Sequence, residues 1–302
     1  MAVTAATLTT GFSGFLTPAQ SAPIFDLARQ QSVVQRLARQ IPLGATGVTV
    51  PVTTGKLTAG WVAEGATKPA SSGTMTLKTM TPKKIGVIAV VSAEVVRADP
   101  GNYMENIRGD VAEAFATAFD AAALHGTSTP FTTYVDQTAN SVEFTGTTPA
   151  FTSVWSDLNS ALNTLLVQAS PRYPTGWALD ARFEPVLNGS MDTTNRPLFI
   201  ESPLTEAAGP IRAGRLMGRD AFVGPGVYGA TGKIYGYLGD WTQAAWGTVG
   251  GISYSLSTEA TVTINGALTS LWENNLVAVL AEAEYGWLVN DTTAFCKLAN
   301  NT

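Results

Sequence analysis

The 302-residue chain has a formal charge of −5, and only 14% of its residues are charged, against about 25% in an ordinary soluble domain. With 45% hydrophobic residues, this low charge favours a subunit that buries much of its surface against other protein. The single cysteine and the single histidine exclude an internal disulfide and every metal site built from several of these residues.

The N-terminal part of the chain predicts an arm followed by a long hairpin. Residues 1–23 are small, threonine-rich and uncharged, without the features of a secretion signal or a lipid anchor, and 24–40 place apolar residues in helical register. Residues 48–52 are β-like, 55–73 are rich in glycine, threonine, alanine and serine, and 74–78 alternate polar with apolar residues. The hairpin has too few apolar residues for its own core, so we expect it to lie on something else, such as another subunit.

The remainder of the chain mixes helices and strands, which predicts an α+β fold. The expected elements are a buried strand at 83–92, a long helix from Asn102 to Leu124 capped by Gly126, a helix at about 153–169, a strand at 176–179, a helical turn at 181–188, β-segments between 215 and 256, and two long strands and a short one within 271–298. The longest apolar run, near 85–96, is far shorter than the roughly 20 residues of a spanning helix, so we expect no membrane contact.

Charge is unevenly distributed along the chain. Residues 1–100 contain nine Lys and Arg against four Asp and Glu, whereas 101–302 contain nine against nineteen. Opposite charge on two parts of one chain favours pairing within a subunit or head-to-tail between copies. The scattered cations show no nucleic-acid-binding motif, so sequence-specific readout is not predicted.

Several motifs resemble those of enzymes, but the sequence around each of them does not support a catalytic role. The GPGVYG stretch at 224–229 matches a dinucleotide-binding pattern, but it contains a proline and β-like sequence follows it. Glu282 and Glu284 would share one face of a strand, where a charged surface is the simpler interpretation. His125 closes the long helix, where a cation would complement the dipole, and Cys296 has the apolar neighbours of a buried side chain. We therefore predict no enzyme, no metal and no cofactor.

Three segments resemble sequences of one family of viral proteins. They are GWVAEGATKP at 60–69, VVSAEVVRAD at 90–99 and AEYGWLVNDTTAFCKL at 283–298. In this order and at these spacings they are similar to the major capsid proteins of tailed double-stranded DNA bacteriophages, the Hong Kong 97-type fold, and to actinobacteriophage members in particular.

The resemblance implies a division of the chain into the parts of that fold. These are an N-terminal arm at 1–45, an extended β-hairpin called the E-loop with its flanking strands at 46–90, a peripheral P-domain with its spine helix at 91–149, mainly an axial A-domain at 150–268, and return strands of the P-domain with the C-terminus at 269–302. It also implies a structural protein that self-assembles through pentamers and hexamers into an icosahedral shell enclosing double-stranded DNA, without sequence-specific contacts to it.

The same resemblance implies partners, a location and contact residues. The expected partners are copies of the chain itself, with scaffolding, portal and decoration proteins as further candidates, and the expected location is the virion capsid, assembled in the host cytoplasm. Trp61, Glu64, Lys68 and Lys78 are the candidate intersubunit contacts.

Three alternatives stay open on the sequence. Lys68 or Lys78 could be covalently cross-linked to Asn274, Asn275 or Asn290, although ordinary salt bridges are the simpler interpretation. An encapsulin-type compartment that packages a cargo enzyme would use the same fold, and an enzyme built on Glu282 and Glu284 would instead be a monomer with a deep pocket.

Overall fold

The computed structural model describes residues 32–55, 57, 59–98, 103–144, 151–168, 170–190, 199–201, 211–264 and 266–300. Most of the predicted N-terminal arm therefore lies outside the described residues. Within these ranges, no helix combines the length and the apolar character needed to span a bilayer.

The described chain alternates helices and strands, which confirms the α+β class. The helices are α1 Val33–Leu37, α2 Ala93–Ala98, α3 Tyr103–Leu124, α4 Phe151–Leu166 and α5 Glu184–Gly189. The strands are β1 Arg39–Gln40, β2 Val48–Gly55, β3 Thr74–Met80, β4 Lys83–Ser92, β5 Ser141–Glu143, β6 Gly176–Asp180, β7 Phe199–Glu201, β8 Arg212–Leu216, β9 Arg219–Gly224, β10 Ile234–Gly239, β11 Ala244–Thr248, β12 Ser253–Ser257, β13 Thr261–Ile264, β14 Ala267–Ser270, β15 Leu276–Val289 and β16 Phe295–Ala299.

The described chain has two large hydrophobic cores, and the long helix α3 lies in the first of them. Its apolar side chains recur at three- and four-residue steps, so one stripe of the helix is buried. Phe119 on this stripe packs against three aromatic rings of a neighbouring sheet, with centroid distances of 6.4 Å to Trp246, 5.1 Å to Tyr285 and 6.0 Å to Trp287. The helix ends as predicted, with Gly126 in the left-handed region at φ 67°.

That sheet is organised by β15, a strand of 14 residues. β4 pairs with its first ten residues, while β12 and β11 follow one another along its opposite edge, all antiparallel. The sequence predicted two long strands within 271–298, and this is wrong. Residues 271–275 form turns instead, and Asn275 has a positive φ of 52°, which ends the extended chain before β15 begins.

A second sheet has the strand order β5-β16-β10-β6-β9-β8-β7 and separates two cores. Alternate side chains of β6 show this, because Ala178 faces the first core while Trp177 and Leu179 face a second core under α4. Strand β6 is buried along its whole length, as the apolar sequence at 176–179 predicted.

The described residues that precede the hairpin, from Ser32 onwards, pack against the body of the subunit. α1 ends at Leu37, earlier than the register of 24–40 predicted, because residues Arg39–Gln40 pair in parallel with β11. Val33 and Val34 are fully buried in the first core. The short helix α2 after β4 was not predicted from the sequence.

The Gly109→Ala variant should stabilise the subunit by about 1 kcal/mol, since Gly109 lies inside α3 and a Cβ there would meet no atom within 4 Å. Chemical unfolding of the unassembled subunit measures the difference. A loss of stability would mean that the helix needs glycine at this position.

Candidate assembly surface

The base of the β2–β3 hairpin, the predicted E-loop, is attached to its own subunit. In the β2–β3 hairpin, Val50 and Met80 turn towards the body and form a small buried cluster with Leu43 and Leu288. The base of the hairpin therefore lies on its own subunit, and the expectation that the hairpin lies on another subunit stays a prediction for the tip.

Two glycines leave the space on the sheet in which this base packs. Gly247 on β11 and Gly286 on β15 lie directly opposite each other in the register of the sheet. A Cβ on Gly247 would lie 2.5 Å from the carbonyl oxygen of Ile41, and one on Gly286 would lie 2.6 Å from Leu43 Cδ2. Because neither glycine has a side chain, the chain entering the E-loop can pack directly on the sheet.

Lys78 fixes the hairpin to the end of the same sheet. Its Nζ donates to the carbonyl oxygen of Asn290 at 2.6 Å and lies 3.4 Å from that of Val289. These contacts are within one chain, so the structure gives this predicted contact residue a role in holding the E-loop at a defined angle.

The outer face and the tip of the E-loop point away from the body. Met75 and Leu77 on β3 are each about 70% exposed, and Met80 at the end of the strand is its one buried residue. At the tip, the backbone N–H of Ala66 donates to the carbonyl of Ala63 and closes a turn that contains Glu64. Trp61 is fully exposed, and Glu64 and Lys68 are exposed as well. That these three residues contact another subunit stays a prediction.

A buried carboxylate ties the start of the described chain to the spine helix. Asp120 is fully buried on α3 and accepts hydrogen bonds from the Ser32 hydroxyl at 2.6 Å and from the backbone N–H groups of Val33 and Val34 at 2.9 and 3.3 Å. It thus caps the N-terminus of α1 from another helix. Burial outweighs these hydrogen bonds and raises the pKa of Asp120 from 3.8 to about 7.

An open groove runs between α3, β4 and the loop at 127–131. It has a volume of about 440 Å³, and its apolar wall includes Ala118, Ala122 and Phe131. Lys83 and Lys84 stand along it, and Lys84 forms an ion pair with Glu282 at 2.7 Å. The groove is thus an apolar surface with the Lys83 ammonium group and the Lys84–Glu282 ion pair at its side.

His125 and Cys296, the two side chains considered as candidate catalytic groups, have structural roles in the described chain. His125 Nδ1 lies 2.9 Å from the Tyr237 hydroxyl, and partial burial lowers the pKa of its imidazole, so the histidine is a half-buried neutral partner rather than the predicted dipole cation. Cys296 is buried, which raises the pKa of its thiol to about 12.

The glycine-rich and acidic motifs likewise take structural positions. The GPGVYG stretch connects β9 to β10 without a helix. Glu282 and Glu284 are both partly exposed, on one face of β15. Among the residues that the structure describes, no three metal-binding side chains cluster.

A long hairpin attached by its base, a spine helix packed across a long-stranded sheet and a second sheet with its own core define a capsid subunit of the Hong Kong 97 type. The chain belongs to the phage capsid family, whose model matches residues 13–300. It is therefore a structural protein of the virion capsid that assembles with copies of itself, and the prediction that it is not an enzyme is confirmed.

Relatives and solved structures agree with this assignment. The chain is 42% identical over 295 residues to the probable major capsid protein gp17 of Mycobacterium phage D29, covering 96% of this chain and 92% of the relative. It is 43% identical over 298 residues to gp17 of Mycobacterium phage L5, covering 96% and 90%. These matches confirm the predicted resemblance to actinobacteriophage capsid proteins and give no support to the encapsulin alternative.

The fold itself matches solved structures from phages. The chain superimposes on a protein of Gordonia phage Cozz with a TM-score of 0.66 at 24% identity, covering 90% of this chain and 87% of the other. For Mycobacterium phage Bobi the TM-score is 0.68 at 17% identity, covering 90% and 91%.

Sequence reasoning missed the Asp120 cap, the paired glycines and the groove. Asp120 did carry a signal, because it continues the row of small buried residues Ala112, Ala116 and Ala123 along α3. An acid in such a row needs buried donors nearby. The glycine pair and the groove carried no local signal, since each depends on segments that are distant in sequence.

Proposed function

We propose that the subunit builds an icosahedral shell from pentamers and hexamers around double-stranded DNA, and that the E-loop tip joins neighbouring subunits through Trp61, Glu64 and Lys68. The observation that carries this proposal is the full exposure of Trp61 on a hairpin whose base is fixed. A tryptophan in water at the end of a held segment is suited to burial against another protein, where aromatic anchors supply much of the contact energy.

The division of charge along the chain supports contacts between copies. Residues 1–100, which include the E-loop, have an excess of cations, and 101–302 have an excess of acids. Complementary charge would orient subunits during encounter, and apolar burial would hold them once docked.

Further partners follow from the same proposal. Scaffolding and portal proteins would direct closure of the shell in the host cytoplasm, and decoration proteins would bind its outside. Packaged DNA would be held without sequence-specific contacts. The ranges 1–45, 46–90, 91–149, 150–268 and 269–302 remain our proposed division into arm, E-loop, P-domain, A-domain and return strands.

The Trp61→Ala variant should weaken assembly strongly. Loss of a central aromatic anchor costs about 2 kcal/mol, or about 30-fold, for each contact, and the contact is repeated in every subunit. Negative-stain electron microscopy and sedimentation velocity at matched concentrations measure the fraction of chain in closed shells.

Two further variants sharpen this test. Val167→Ala removes an exposed apolar side chain far along the chain and should assemble as the wild type does. Glu64→Lys should give a defect that changes with salt concentration, because it reverses an exposed charge at the tip. Normal assembly of Trp61→Ala would contradict the proposed role of the E-loop tip.

A further inference from the structure

We propose that the groove between α3, β4 and the loop at 127–131 is the receptor for Trp61 of a second copy of this chain. The inference rests on the proposed function of the E-loop tip and adds the site that the tip enters. Each subunit would present one tip and one groove, which is a heterologous contact that can close into rings.

The shape and lining of the groove fit an aromatic side chain. Small residues of α3, Ala118 and Ala122, form one wall, and the rings of Phe131 and Tyr285 contribute to the others. The volume of about 440 Å³ lies within the range of pockets that bury a compact ligand. An indole would meet aromatic edges and alanine methyl groups here without displacing any charged group.

Charge decides the orientation of the occupant. Lys83 and Lys84 stand at the groove, and Glu64 lies three residues from Trp61 on the turn that closes the tip. Lys84 is already paired with Glu282, so with the indole seated the Glu64 carboxylate would face the Lys83 ammonium group. The lysines could also lie against the indole face, which adds a cation–π contribution.

The tip has the reach for this contact. Strand pairing in the hairpin ends at Gly55 and Thr74, and the chain between them projects beyond the last pair. Trp61 is six residues beyond Gly55, and six extended residues span up to roughly 20 Å, which is enough to reach a neighbouring subunit.

Trp272 is the competing occupant. It is 77% exposed and lies beside Glu273, which is exposed as well. However, it sits on a short turn in which the Asn274 side chain donates to the carbonyl of Ser270, so it stays close to its own sheet. This favours Trp61.

Site-directed cross-linking in assembled shells tests the inference. A chain with Val62→Cys and Thr127→Cys, treated with a short bis-maleimide, should give a ladder of linked subunits in denaturing gels, whereas either single variant should not. Cys296 would stay unreactive because it is buried and its thiol pKa is raised. Leu268→Cys with Thr127→Cys places the second thiol near Trp272, and we expect no ladder from it.

A charge exchange tests the same contact in solution. Glu64→Lys and Lys83→Glu should each raise the concentration needed for assembly by about tenfold, and the double variant should return to within about threefold of wild type. Recovery in the double variant requires the two positions to interact across the interface.

The outcomes separate the inference from the function on which it rests. Shells without a 62–127 ladder, or a ladder from 268–127 instead, would overturn the groove assignment while the shell-forming role stands. Normal assembly of Trp61→Ala would overturn the role of the tip itself.

Discussion

Replacing Asp120 by alanine should lower the free energy of unfolding by about 3 kcal/mol at pH 5. The carboxyl group accepts from one hydroxyl and two backbone N–H groups, and its removal leaves these buried donors without an acceptor. Urea unfolding of the unassembled subunit, followed by tryptophan fluorescence, measures the loss. Asp110→Ala makes the same change at an exposed position of the same helix and should stay within about 0.5 kcal/mol of wild type.

The contribution of Asp120 should also depend on pH. Because burial raises its pKa from 3.8 to about 7, the folded state keeps a proton that the unfolded state releases. The resulting stabilisation is complete below about pH 3.8 and is lost as the pH rises through about 7.

The Asp120→Asn variant isolates this dependence. His125 contributes with the opposite sign, because its lowered pKa gives stability that is lost as the pH falls, but it is present in both proteins. The stability of wild type relative to Asp120→Asn should therefore decrease between pH 4 and pH 7.5. A difference that does not change with pH would show that the carboxyl group titrates as an ordinary aspartate.

Adding one methyl group at Gly247 should detach the base of the E-loop. The new Cβ would lie 2.5 Å from the Ile41 carbonyl oxygen, which is backbone, so β1 and the chain leading to the hairpin must move. We expect Gly247→Ala to cost about 2–3 kcal/mol and to increase amide hydrogen exchange throughout β2 and β3.

The opposite glycine provides a graded comparison. At Gly286 the Cβ would meet Leu43 and Met80 side-chain atoms, which can turn away, so Gly286→Ala should cost only about 1–2 kcal/mol. Gly109→Ala adds the same methyl group at a position where no atom lies within 4 Å of it, so it should not increase hydrogen exchange in the hairpin. If amide hydrogen exchange in β2 and β3 is unchanged in Gly247→Ala, the base of the E-loop does not depend on the space left by the two glycines.

The sequence predicted elements best where local periodicity determines them. The spine helix was predicted to within a residue, because apolar residues recur along it and a glycine ends it. β4 matched its predicted bounds, since its apolar run is bracketed by polar residues, but the prediction that it is a buried strand is wrong. Val91 is its one buried residue, because much of one face of β4 is left uncovered. By contrast, 271–275 looked extended, and only the positive φ of Asn275 shows that a turn intervenes.

Features that join distant segments could not be predicted in the same way. Asp120 and Ser32 are 88 residues apart, and the contact of Lys78 with Asn290 spans 212 residues. The position of Lys78 in the predicted E-loop favours an intersubunit contact on sequence alone. Its carbonyl partner on the same chain becomes visible only once the register of β2, β3 and β15 is known.

Strand β15 has a mechanical consequence for a closed shell. It is roughly 45 Å long and is hydrogen-bonded on both edges over much of its length. Its hydrogen bonds lie across the strand, so a pull between its two ends loads them in shear, and they share the force instead of breaking in turn. One end follows the turn that carries Trp272, and the other meets Lys78 at the base of the E-loop. Tension between neighbours at these two places would thus be carried along β15 and shared by its hydrogen bonds.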